Sequence, residues 1–239
     1  MKVGHQPTST TPATDEDRPA GVMLLIGSAA LILAGLLHPE SGQALLKPDH
    51  PVGHIWYVAH VLGVGVWPLI GVGLILARSG LARCGERLLP LMSIAVFVFA
   101  AGSAIGSGIL GGFVRPRLAA DYLAAPESER ATLQAIYDYN TVVNETFADA
   151  YQVAFAIAVV LWSAALLRMG NTFQRVLGGL GVIGGAAIAV AFLTGRQSVL
   201  SADFHVFVLI NLACAGWVAA LGFLLLRPKP SARPVSAGN

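Results

Sequence analysis

Six stretches of the chain, at 21–37, 55–77, 88–113, 147–167, 176–194 and 204–226, are dominated by apolar residues and contain no Lys or Arg. At a rise of ~1.5 Å per residue each reaches about 25 Å or more as a helix. That is close to the ~30 Å hydrocarbon core of a bilayer. No water is present there to satisfy peptide groups, so a spanning segment must pair its backbone internally. The two-residue alternation of a membrane barrel strand is missing from all six. The predicted fold class is all-α: a polytopic membrane bundle of about six transmembrane helices. Composition agrees, with 55% hydrophobic and 12% charged residues and a mean hydropathy of +0.69. A soluble domain carries roughly 25% charged residues.

The rest of the chain is organised around these runs. Residues 1–20 and 227–239, rich in Thr, Pro or Ser, read as disordered tails around a transmembrane domain at 21–226. The polar start is too long and too acidic, with Asp15, Glu16 and Asp17, for a cleavable signal peptide. Basic residues alternate between connections. Lys2, Arg18, Arg78, Arg83, Arg87, Arg168, Arg175, Arg227, Lys229 and Arg233 share one side, and Lys47, Arg115, Arg117, Arg130 and Arg196 the other. The positive-inside rule then places both termini in the cytoplasm and three connections outside, as in a multi-pass protein of a bacterial inner membrane. The net charge of +2 is scattered, which argues against nucleic acid as a partner. Cys84 and Cys214 lie at different expected depths and form no metal-binding spacing.

Gly102-x-x-x-Gly106, Gly108-x-x-x-Gly112 and Gly181-x-x-x-Gly185 let helices approach closely. Packing within the chain is the expected use, and a homo-oligomer face the alternative. Pro68 is expected to kink the second span or free a carbonyl. The two halves of the chain show no internal repeat of the kind many transporters carry.

The outer side gathers the chemistry. Nine of thirteen carboxylates are expected there, among them Glu40, Glu145, Asp149 and Asp203. So are His38, His50, His54 and His205. An outer segment at 114–146 contains a stretch, 127–139, that reads as an amphipathic surface helix with Leu133, Ile136 and Tyr137 on one side. Glu145 and Asp149, four apart, share a helix face at the mouth of span four and are the candidate acid and base. Arg196, Tyr151 and Asn144 are candidate substrate-binding residues. His38, Glu40, His54 and His205 suit a divalent transition metal. His50, before Pro51, reads as a helix cap. His60 reads as a buried packing residue on a face with Trp56 and Trp67, with Asn211 as a polar partner.

Three functions remain open on this reading. The leading one is a membrane-embedded enzyme acting on a lipophilic substrate by metal-assisted or carboxylate acid/base chemistry. The second is a cation or metal permease. It is disfavoured because the inner halves of the spans offer almost no polar lining. The third is a non-catalytic membrane subunit. The bilayer is the expected partner in all three.

Overall fold

A computed structural model describes residues 17–38, 42–47, 53–83, 85–168, 172–194 and 204–227. Among the described residues every regular element is helical. They are α1 (Asp17–Leu37), a 3-10 turn (Gly42–Leu46), α2 (His54–Arg83), α3 (Leu88–Ile109), a π-helical turn (Leu110–Val114), α4 (Arg115–Ala124), α5 (Glu127–Arg168), α6 (Thr172–Leu193) and α7 (Phe204–Leu226). Six helical rods are long and apolar enough to cross a membrane, the third being α3, the π turn and α4 in continuity over Leu88–Ala124.

The rods pack in a ring. α1 lies between α2 and α7, α2 also packs on α3, α3 on α5, and α5 on α6, while α6 and α7 touch lightly. Lipid tails are as apolar as the side chains they meet, so close van der Waals fit and buried hydrogen bonds hold such a bundle together. Both are present. A β-carbon on Gly21 would stand 2.8 Å from the Gly222 carbonyl oxygen, and one on Gly222 2.9 Å from that of Gly21. The backbones of α1 and α7 therefore nearly touch. Gly185 approaches the Ala156 carbonyl at 2.8 Å by the same measure, and a β-carbon on Gly181 would overlap Ser163 Oγ. The Gly181/Gly185 pair thus seats α6 on α5 within one chain.

At mid-bundle Trp67, Phe97, Tyr151 and Phe155 form an aromatic core, with ring centroids 4.9–6.1 Å apart between Trp67, Tyr151 and Phe97. The buried Tyr151 hydroxyl donates to Asn211 Oδ1 at 2.6 Å, tying α5 to α7. Ser93 Oγ donates to the Ala158 carbonyl at 2.7 Å, tying α3 to α5. Tyr151→Phe should destabilise the bundle by about 1 kcal/mol, because the buried Asn211 Oδ1 loses this donor. Unfolding in mixed micelles on titration with a denaturing detergent measures this. A change within error of zero would show that the bond contributes nothing.

Helix ends follow local chemistry. Gly85, at φ 91°, closes α2 in the left-handed conformation that glycine adopts without a Cβ penalty. The amides of Gly85 and Glu86 bond the Ala82 and Leu81 carbonyls. Ala125 is extended, ψ 147°, because Pro126 follows it, and α4 ends there. α2 runs unbroken through Pro68, which leaves the Val64 carbonyl without its usual amide partner.

Two expectations need revision. α1 begins at Asp17, earlier than the apolar run, with Asp17 in its first turn, where a carboxylate favours the helix dipole. The remainder of both tails lies outside the described residues. The 127–139 stretch is not a separate surface helix. It is the first part of α5, a single helix of 42 residues. No Gly or Pro interrupts 127–168, so nothing breaks the helix where hydropathy changes. At roughly 63 Å, α5 is about twice the hydrocarbon thickness, and its charged start stands clear of the core.

Candidate functional site

The polar residues of interest converge where α2 begins, α3 passes into α4, and α5 emerges from the apolar core. The π-helical turn shapes this region. Pro116 has no amide hydrogen to return to the preceding turn, and the Arg115 amide bonds the Leu110 carbonyl, five residues back. A π turn widens the helix by one residue and often marks a functional position. Here it contains Gly111 and Gly112, both buried.

His60 of α2 presses against these glycines. A β-carbon on Gly112 would overlap the imidazole, whose Cγ lies 2.5 Å from that position. A β-carbon on Gly111 would fall 3.5 Å from His60 Nε2 and 3.5 Å from both Nδ2 and Oδ1 of Asn144. The missing Gly111 side chain thus leaves a gap the size of one methyl group, bordered by an imidazole nitrogen and an amide. His60 Nδ1 is 2.7 Å from the Trp56 carbonyl oxygen. A carbonyl only accepts, so Nδ1 carries the proton and Nε2 keeps its lone pair at the gap. Ser107 Oγ donates to Asn144 Oδ1 at 2.8 Å, which fixes the amide with its NH2 as the remaining donor.

Aromatic and cationic groups frame the gap. The His60 ring stacks on Trp56 at 5.3 Å and lies 5.1 Å from the His38 ring. Trp56 and the fully buried Tyr137 belong to a small cluster with Leu45 of the 3-10 turn and Ala119 of α4. The Arg115 guanidinium stands over the Tyr137 ring at 5.8 Å. Arg115 Nε, Trp56 Nε1 and Asn140 Oδ1 are buried without a hydrogen-bond partner.

The other candidate residues distribute differently. Asn144 lies at the gap. Glu145 is exposed on α5. Asp149 is half-buried with Oδ1 unpartnered, and lines a groove of about 600 Å³ between α3, α5 and α6. Tyr151 is inside the core, where its hydroxyl donates to Asn211 Oδ1. His38 meets His60, whereas His54 is exposed at the first residue of α2. Glu40, His50 and Arg196 lie outside the described residues, as does the side chain of His205. Among the described residues no three His, Cys, Asp or Glu side chains come together as a metal site. Cys214 is a buried free thiol.

Sequence reasoning read His60 as packing and Gly108/Gly112 as a helix contact. Both statements are correct as far as they go, since Gly108 meets Val64 and Gly112 meets His60. They miss the gap at Gly111. The available signal was a Gly-Gly pair placed just before Pro116 on a membrane helix.

Fold and site together define a multi-pass membrane protein with a cluster of polar and aromatic side chains at one end of its bundle. Comparison with protein families, with curated proteins and with solved structures finds no match to this chain.

Proposed function

We propose that this chain is a membrane-embedded enzyme that acts, by general-base chemistry, on an amphiphile with an anionic head group. The observation that carries the reading is the gap at Gly111, bordered by the His60 Nε2 lone pair and the Asn144 amide. In this reading the head group rests near the Arg115 guanidinium, a cationic donor suited to phosphate or carboxylate that stands over the Tyr137 ring. The apolar tail stays in lipid. His60 takes a proton from a hydroxyl or water nucleophile held in the gap. Asn144, held by Ser107, orients that nucleophile or donates to the charge that develops. His38 and Trp56 hold the imidazole in place and shield it from bulk water. Glu145, whose charge acts on Arg115, and Asp149, in the groove between α3, α5 and α6, are given no step in this reading.

The same reading places both termini in the cytoplasm and the pocket at the outer leaflet of a bacterial inner membrane, from the distribution of Lys and Arg. The test is turnover. The chain, reconstituted in nanodiscs of bacterial lipid extract, is incubated and its lipids followed by mass spectrometry. Time-dependent conversion of an anionic lipid, absent from empty nanodiscs, is the expected result. An unchanged lipid profile across anionic lipid classes would sink the enzymatic reading.

A further inference from the structure

A second feature is independent of the His60 gap. The groove between α3, α5 and α6 is lined by Val96, Phe99, Val153, Ile157 and Phe192, and its polar wall is Asp149. Thr146 also borders it, but its hydroxyl donates to the Val142 carbonyl at 2.8 Å and is committed to its own helix. Asp149 Oδ1 is buried and has no hydrogen-bond partner. A carboxylate oxygen in apolar surroundings without a donor is costly. A ligand that brings positive charge on an apolar body suits a half-buried carboxylate in such a groove.

The dimensions and walls select among such ligands. About 600 Å³ is in the range that takes a drug-sized molecule. Phe99 and Phe192 line the same groove as Asp149, and a cation near an aromatic face gains about 0.5–2 kcal/mol. Asp149 and Asn144 are five residues apart on α5, about 140° around the helix at ~100° per residue. The groove therefore opens on a different face from the His60 gap.

We propose that this groove is a binding site for a small lipophilic organic cation, its charge set against Asp149 and its apolar body against Phe99, Ile157 and Phe192. Tetraphenylphosphonium is a suitable probe, since its charge is permanent and its body is aromatic. In a non-ionic maltoside detergent, equilibrium dialysis should show saturable binding approaching one cation per chain. Asp149→Asn should weaken that binding at least tenfold. Glu129→Gln, on the exposed start of α5, and His60→Gln should leave it unchanged. Ile157→Trp, which fills the groove without touching the charge, should weaken it as well. Circular dichroism and elution volume establish that each variant is folded. Should Asp149→Asn fail to fold, Ile157→Trp decides the matter alone. Absence of saturable binding, or full-strength binding to the folded Asp149→Asn or Ile157→Trp variant, overturns the proposal. A co-purified lipid that occupies the groove and resists displacement by the probe also overturns it. Because His60→Gln is expected to bind normally, loss of the enzymatic reading and loss of this one give different results.

Discussion

Gly112→Ala should remove both stability and activity, although it adds a single methyl group. Its new β-carbon would coincide with the His60 side chain, with Cγ 2.5 Å away. His60 cannot retreat easily, since Trp56 stacks on it at 5.3 Å and holds Nδ1 through its carbonyl. Overpacking of this kind costs about 1–3 kcal/mol. Relief comes only by moving α2 away from the π turn or by rotating the imidazole, and either change pulls Nε2 away from Asn144. The matched control is Gly102→Ala on the same helix, where a β-carbon meets nothing within 4 Å. That variant should be neutral or up to ~1 kcal/mol more stable, because alanine favours a helix over glycine. Denaturation in mixed micelles compares the two directly. Equal stability of Gly112→Ala and Gly102→Ala would mean that His60 does not sit where the structure puts it.

His60→Gln should have the largest effect on turnover. Glutamine is close in length and still offers hydrogen bonds, but it has no basic lone pair. Loss of a general base lowers rate by roughly 10²–10⁴-fold. The fold should survive, because one buried hydrogen bond to the Trp56 carbonyl is worth only about 1 kcal/mol. His38→Ala should cost far less, since it removes a neighbour at 5.1 Å and not the reacting nitrogen. Initial rates of lipid conversion in nanodiscs, read beside thermal stability, separate the chemical effect from a structural one. If His60→Gln turned over at the wild-type rate, the base would have to be another group.

Much of the architecture was legible from hydropathy alone, because lipid imposes one demand on every spanning segment. That demand is a helix without uncompensated charge, and all six apolar runs meet it. The 127–139 stretch was harder. Its polarity shows that it leaves the hydrocarbon, but polarity says nothing about whether the helix bends there, and α5 continues straight into it. The candidate site was legible only in part. Asn144 was found as a polar residue near the mouth of span four. His60 shares a helix face with Trp56 and Trp67, and that pattern reads as packing, while His54 is exposed elsewhere. The true partners of His60 depend on the π turn at Leu110–Val114, which shifts the register of every residue after it by about 100°. Periodicity assumes an unbroken α-helix and does not contain that shift. Glu145 and Asp149 illustrate the converse. Their shared face was read correctly as spacing, yet depth and spacing do not say which neighbours a face meets. Asp149 turns to the groove between α3, α5 and α6, and the histidines lie elsewhere.

The proposed function requires the head group of an anionic amphiphile to rest near Arg115, beside His60 and Asn144. The most direct measurement is photo-crosslinking in nanodiscs, using an anionic lipid with a diazirine in its head group, followed by peptide mapping. The account predicts labelling concentrated on the segments that border the gap, at residues 56–60, 107–115 and 140–144. Excess unlabelled anionic lipid should suppress that labelling, and Gly112→Ala should diminish it. Labelling confined to lipid-facing positions such as Leu36, Ile183 and Leu209, indifferent to competitor and to Gly112→Ala, would contradict it.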